Sequence, residues 1–168
     1  MLTRKPNHLK AFDYLGLHRY FLTFCTFERR PLFTTSDAVD LVLLQIQRAA
    51  GEARFALIAY CFMPDHVHLL VEAQVDDSDA KKFIKAVKQY SGFYFKQRFG
   101  QHLWQRYGFE RTLRDDEATL SVARYILENP VRARLVLNPE EYPFSGSIVH
   151  SRAEVLEAVM FDPNPRSG

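Results

Sequence analysis

The stretch FALIAYCFMPDHVHLLVEA, residues 55–73, decides the fold. Phe55 to Phe62 is a short apolar run of strand length. Met63-Pro64-Asp65 breaks it, because proline has no N–H to give a ladder. His66 to Ala73 reads as a second strand, whose odd positions Val67, Leu69, Val71 and Ala73 form one apolar face. Two strands joined by so tight a break make a hairpin.

The neighbouring segments extend this unit on both sides. Tyr20 to Phe27, rich in aromatic residues and Thr, reads as a strand. Ser36 and Asp37 suit a helix start. Val39, Val42, Leu43, Ile46, Ala49 and Ala50 then recur with helical spacing, and Gly51 ends the pattern. Beyond the hairpin, Asp79 caps a helix that Gly100 closes. Its apolar side carries Phe83, Val87, Tyr90 and Tyr94, and its opposite side Lys81, Lys85 and Lys88. A fourth strand falls between Leu103 and Leu113. A third helix starts near Asp115/Asp116 and runs to about Asn129, since Pro130 disfavours helical geometry at the residue before it. The order β-α-β-β-α-β-α places the chain in the α+β class. Its first six elements follow the ferredoxin-like split βαβ pattern, an antiparallel sheet with helices on one face. The other face is then expected to be free for a ligand, with the third helix, which carries Tyr125, as an addition.

With 168 residues, the chain is expected to form one domain, residues 1–168, with a loose arm at 1–15 and a tail over the core at 138–168. A hydrophobic fraction of 47%, with 14 Phe and 8 Tyr, excludes a disordered or low-complexity protein. No apolar run reaches the length of a membrane span, and the N-terminus lacks the apolar stretch of a signal peptide. Both features point to a cytoplasmic location with no membrane partner. Cys25 and Cys61 then read as buried, inert thiols. The net charge of +2 hides an asymmetry: residues 81–134 hold 12 Lys/Arg against 5 Asp/Glu, while the rest holds 10 against 15. A basic stretch in a nearly neutral chain suggests a polyanion partner, although a solvated helix face gives the same pattern.

Two constellations bear on chemistry. His66-Val67-His68 sets two imidazoles on the same face of a strand, at a spacing that chelates one metal ion; two unrelated surface histidines have the same spacing. Tyr125 and Asn129, at i and i+4, share a helix face. The amide suits Mg²⁺ or Mn²⁺, and the phenol lies a turn away. A packed aromatic and a helix C-cap are the plainer reading of that second pair.

Four ordered segments carry a family resemblance. Met63-Pro64-Asp65-His66-Val67-His68-Leu69-Leu70-Val71-Glu72 resembles the HUH motif (U apolar) of the IS200-like single-tyrosine transposases. Tyr125-Ile126-Leu127-Glu128-Asn129-Pro130-Val131-Arg132-Ala133 resembles the YIxxNPVRA segment of their REP-associated subgroup. Leu103-Trp104-Gln105-Arg106 and Glu141-Tyr142-Pro143-Phe144-Ser145 are similar to two further segments of that subgroup, and the likeness runs from about His18 to Ser147. Phe144-Ser145-Gly146-Ser147 and Tyr107-Gly108-Phe109 depart from the family pattern, away from the chemistry.

The resemblance implies a DNA transposase that cleaves and rejoins single-stranded or hairpin DNA. His66, His68 and Asn129 would hold a divalent metal, Mg²⁺ or Mn²⁺, and Tyr125 would be the nucleophile, giving a 5′-phosphotyrosine link. It also implies a bacterial protein, nucleoid-associated when bound to DNA, either a homodimer or a monomer. Lys81, Lys85, Lys88, Lys96, Arg106, Arg111, Arg114, Arg132 and Arg134 suit phosphate contacts, and Trp104, Tyr107 and Phe109 suit either stacking on unpaired bases or core packing. The rival expectations are a domesticated, non-catalytic hairpin-binding protein and a metal phosphodiesterase that uses water.

Overall fold

The computed structural model describes residues 18–113 and 116–160, with the side chains of residues 109–112, 116–118 and 160 set aside. The expected arm at 1–15, Arg114 and the last eight residues lie outside the described residues, as does the side chain of Arg111. The elements in chain order are β1 (Arg19–Cys25), α1 (Ser36–Ala53), β2 (Phe55–Met63), β3 (His66–Ala73), α2 (Ala80–Phe99), β4 (Phe109–Leu113), α3 (Asp116–Arg132), β5 (Ser145–Gly146) and α4 (Arg152–Met160). The sheet order is β4-β1-β3-β2-β5 and every pairing is antiparallel. The first four strands follow the ferredoxin-like order, and β5 extends the β2 edge.

The hairpin forms as the sequence predicts. Met63 pairs with His66, so Pro64 and Asp65 alone make the turn. β3 lies in the middle of the sheet, with Thr23 of β1 opposite His68 and Cys25 opposite His66. Its odd residues enter a core built with Val42 and Ile46 of α1 and Phe83 and Val87 of α2. Its even residues face the other way, where Leu70 joins Phe21 and the α3 residues Val122, Ala123, Ile126 and Leu127. A register shift between Leu57 and Ala59 explains why β2 reads as continuously apolar. Ile58 and Ala59 both turn toward α3, as the extra residue of a bulge allows.

Both faces of the sheet are therefore covered, so the expectation of a free second face is corrected. α3 and α4 pack there, with Val155, Leu156, Ala158 and Val159 of α4 buried. The segment expected as a tail contributes structure. β5 pairs with Tyr60 and Cys61, the Phe62 N–H donates to Phe144 O (2.8 Å), and the Tyr142 hydroxyl donates to Phe62 O.

Several helix details differ from expectation. Thr35, not Ser36, caps α1, accepting from the Ala38 N–H at 3.3 Å. The helix passes through Gly51 and ends on Arg54, whose φ of 58° turns the chain directly into β2. Gln74 N and Ser78 Oγ both bind the Arg54 carbonyl (2.9 and 2.8 Å), which holds that left-handed residue in place. α2 starts and stops as expected, at Asp79 and at Gly100 with φ 70°. Its buried ridge, however, is Phe83, Val87, Ser91 and Phe95. Tyr90 and Tyr94 flank this ridge rather than belong to it. The Tyr90 hydroxyl donates to Glu52 (2.6 Å), and Tyr94 is exposed. α3 continues through Pro130 to Arg132. A proline so close to the end removes one helical hydrogen bond, and the N–H groups of Ala133 and Leu135 still close on the carbonyls of Asn129 and Pro130 (2.9 Å each).

Candidate metal and tyrosine site

The histidine pair sits at the first turn-proximal positions of β3, on the α3 face. His66 is half-buried and His68 buried. Their Nε2 atoms are 3.2 Å apart, while each Nδ1 is held from behind. His66 Nδ1 lies 2.7 Å from Asp65 Oδ1, and His68 Nδ1 lies 2.8 Å from Thr23 Oγ1. Partial burial pushes the Asp65 carboxyl up. The hydrogen bonds from His66 and Arg29, with the charge of Arg29, overcome this and hold it below the usual carboxylate range. An ionised carboxylate only accepts, so His66 Nδ1–H donates to Asp65 and Nε2 is the ring atom that faces His68.

His68 is pushed down to about 3, mainly by burial, with the charges of His66 and Arg132 adding to it, so it is neutral across the physiological range. Its partner Thr23 both donates and accepts. The His68 ring therefore has two satisfied states. In one, Nε2–H donates to His66 and Nδ1 accepts from Thr23. In the other, Nδ1–H donates to Thr23 and both Nε2 lone pairs are free for a cation. Outer oxygens behind two converging imidazoles are the arrangement that metal-binding histidines need, so the pair fits the expected divalent ion. Among the described residues no group of three His, Cys, Asp or Glu is placed to hold a metal ion together.

A strained turn supports this arrangement. Phe27–Arg29 form a 3₁₀ turn after β1, and Glu28 and Arg29 adopt φ of 53° and 55°. Two consecutive left-handed non-glycine residues cost about 1–3 kcal/mol each and persist only where their surroundings fix them. Thr26, fully buried, does this by donating its hydroxyl to Arg30 O (2.7 Å) and Asp65 O (3.0 Å). Arg29 is thereby aimed at Asp65, with Nε 2.9 Å from Oδ2, and a second nitrogen of its guanidinium lies 3.0 Å from Cys25 Sγ. Cys25 is thus half-buried and hydrogen-bonded rather than buried and inert. Cys61 is fully buried, and burial pushes its thiol up to about 12.

α3 brings Tyr125 to the same place. Its ring lies edge-on to His68 and to Phe21, with centroids 5.8 and 6.0 Å away, and Phe21 stacks on His68 at 5.3 Å. Tyr125 is 47% exposed, so the phenol is open to solvent and to a ligand. Arg132, one of the expected phosphate contacts, covers the ring at 4.3 Å and donates to the Tyr125 carbonyl. Glu128 ties it there, with oxygens 3.0 Å from Arg124 Nε and 3.5 Å from Arg132. Asn129 follows one turn after Tyr125, half-buried.

The other expected contacts fall into three groups. Lys81, Lys85, Lys96, Arg106 and Arg134 are exposed. Lys88 is half-buried and donates to the carbonyls of Gln105 and Arg106 (3.4 and 3.0 Å), tying that loop to α2. Trp104 does not offer a stacking face. It is 5% exposed, lies between Phe24 and Phe33, and donates its indole N–H to Ser91 Oγ (2.8 Å). Tyr107 is 76% exposed, and the side chain of Phe109 lies outside the described residues. Sequence reasoning missed Thr23, Asp65 and Arg29 as orienting residues. Only Asp65 had a visible signal, its place next to His66.

Fold and site together set an oriented histidine pair beside an exposed tyrosine on a ferredoxin-like sheet. Comparison with known proteins agrees: the family model described as Transposase IS200 like matches residues 15–129. The chain belongs to that family. It is 26% identical over 161 residues to a Haemophilus influenzae protein whose name assigns it as a REP-associated tyrosine transposase, covering 89% of each chain. Among solved structures it resembles a REP-associated tyrosine transposase bound to a REP hairpin (TM-score 0.66, 22% identity, 86% of this chain and 82% of that one). It also resembles a Deinococcus radiodurans protein assigned as a transposase (TM-score 0.53, 23% identity, 76% and 97%). Among the described residues no helix is long and apolar enough to cross a membrane.

Proposed function

We propose that this transposase-family chain is a metal-dependent endonuclease and strand transferase that cleaves and rejoins single-stranded or hairpin DNA. The observation that carries the reading is the convergence of two oriented imidazoles, His66 and His68, beside an exposed phenol, Tyr125. A hairpin is the favoured substrate, because a structural relative is described bound to one.

His66, His68 and Asn129 would hold the divalent ion, Mg²⁺ or Mn²⁺, which supplies charge neutralisation to a phosphodiester. The remaining steps belong to the chain. Tyr125 Oη attacks phosphorus, an Oη–P bond forms, the P–O3′ bond breaks, and the departing strand takes a proton to become a 3′-OH. The phenol's own proton leaves to water through the exposed side of the ring. Arg132, fixed over that ring by Glu128, keeps it from rotating and adds positive charge beside the phosphate. A later 3′-OH reverses the step, so the 5′-phosphotyrosine conserves the energy of the broken bond. Exposed Lys81, Lys85, Lys96, Arg106 and Arg134 bind DNA phosphates, a role proposed for Arg111 and Arg114 as well.

The test is a denaturing gel of protein with labelled hairpin DNA and Mg²⁺ or Mn²⁺, followed by mass-spectrometric mapping of the linked residue. A covalent adduct on Tyr125, absent from Tyr125→Phe, supports the reading. Cleavage without an adduct indicates a water-using phosphodiesterase, and tight binding without cleavage a non-catalytic hairpin binder.

A further inference from the structure

α1 and α2 cover the sheet face opposite the histidines, and a groove of about 450 Å³ runs between them. α1 lines it with Asp40, Leu41, Leu44 and Gln45, which helical spacing puts on one stripe, and α2 lines it with Tyr94. Leu44 is 61% and Tyr94 37% exposed, an apolar pair on open surface. Phe93, exposed and edge-on to Tyr94 at 5.1 Å, extends that surface beyond the groove. Two more lining residues, Asp37 and Arg98, hold each other at 3.2 Å. Their charges cancel, which leaves that of Asp40, exposed and without an ionic partner among the described residues. Gln45 is the buried member, 9% exposed, and its Oε1 is shielded from solvent with no hydrogen bond. An unmade bond at a buried carbonyl disfavours folding, and an apolar side chain of similar size would avoid it. The amide therefore has its use in the groove.

We propose that this groove receives an arginine side chain of a partner protein, flanked in that partner by apolar residues. The guanidinium pairs with the Asp40 carboxylate and lies on the Tyr94 ring, two contacts that suit its planar fork better than a compact ammonium. The Gln45 amide turns about its terminal bond, whose rotation is soft, and its oxygen accepts from a remaining guanidinium N–H. One net negative charge calls for one cation. The apolar surface of Leu44, Tyr94 and Phe93 reaches past the space that a free small cation would fill, and the partner's flanking residues cover it. The groove lies across the sheet from Tyr125, and the inference does not rest on the strand-transfer reading.

The experiment is an NMR titration of the full chain, labelled with nitrogen-15, into the millimolar range of three probes. These are the capped peptide acetyl-Leu-Arg-Leu-amide, its neutral counterpart acetyl-Leu-Gln-Leu-amide, and butylguanidinium. The arginine peptide is expected to shift the Gln45 side-chain amide and the backbone signals of Asp40 and Tyr94 saturably, and the glutamine peptide to leave them in place. Asp40→Asn and Gln45→Leu should each bind the arginine peptide about tenfold more weakly, the loss of one charge-assisted hydrogen bond. Gln45→Leu should also melt at a higher temperature, since it removes the orphaned carbonyl. Asp40 is exposed, so Asp40→Asn is a folded test whatever happens at Gln45. No saturable shift at these residues, equal shifts by the glutamine peptide, or wild-type affinity in both variants overturns the proposal. Butylguanidinium binding as tightly as the arginine peptide also overturns it, and makes the groove a site for a free small cation.

Discussion

The two faces of β3 differ in what they ask of their residues. The odd face, Val67, Leu69 and Val71, is fully buried and purely apolar. The even face holds His66, His68 and Glu72 around the single apolar Leu70, and each polar member is bound: His66 to Asp65, His68 to Thr23, and Glu72 to Arg19 at 3.3 Å. One strand thus anchors with alternate residues and positions chemistry with the others. Stability and function should therefore separate by parity along the strand, and mutations should show it.

The largest effect is expected on the even face. His66→Ala and His68→Ala should each lower adduct formation about 10²–10⁴-fold, several kcal/mol of lost charge stabilisation. Hairpin affinity should remain within a few-fold, because phosphate contacts come from lysines and arginines elsewhere. Gel quantification of adduct beside anisotropy checks both halves. Cleavage at the wild-type rate by the double variant would remove the metal role.

The odd face should give the opposite pattern. Leu69→Ala empties part of the α1/α2 core and should cost about 2–5 kcal/mol of folding stability. Adduct formation at a temperature where the variant is folded should persist, since the residue touches neither histidine's partners nor Tyr125. Urea unfolding and a low-temperature adduct assay test it, and a variant that is stable but inactive would break the parity rule.

This parity was visible in HVHLLVEA itself, because the period of two is local. The α2 boundaries were visible for a similar reason: Asp79 and Gly100 act on backbone within four residues. What was not legible depends on long-range pairing. Thr23 meets His68 across 45 positions, through the β1–β3 register. Trp104 read as a stacking surface, but a bridge between Thr26 and Trp104 draws it inward onto Ser91. Ser91 also explains the misplaced ridge of α2: the polar residue is buried because Trp104 satisfies it, while Tyr90 turns aside to Glu52. Arg132 read as a phosphate contact, and only the packing of α3 reveals that it also lies over the Tyr125 ring.

Thr23 sharpens the comparison on the even face alone. Thr23→Val keeps the shape and removes the hydroxyl that lets His68 change tautomer. Mn²⁺ affinity is expected to fall about 10–100-fold, the usual cost of losing an outer partner of a ligating histidine. Thr23→Ser should restore it. Calorimetric Mn²⁺ titration of the three proteins decides; equal affinity in Thr23→Val would mean that packing alone orients the ring.

The smallest effect concerns α2, which packs on the odd face of β3. Lys81 and Lys85 are exposed, four residues apart on one side of the helix. Lys88, the next in sequence, differs: its ammonium is spent on two loop carbonyls, and burial pushes it below the usual lysine range. If Lys81 and Lys85 meet DNA phosphates, each releases about one condensed counterion on binding. Lys81→Ala with Lys85→Ala should then flatten the log–log salt dependence of hairpin affinity by about 1.4–1.8, with the melting temperature unchanged because neither side chain is packed. Lys88→Ala should instead loosen the 105–106 loop and lower stability, with a smaller change in slope. Hairpin affinity measured across a salt series, together with thermal melting of the same three proteins, separates the cases. A wild-type slope in the double variant would make this helix side a solvated face and move the phosphate contacts to the exposed arginines.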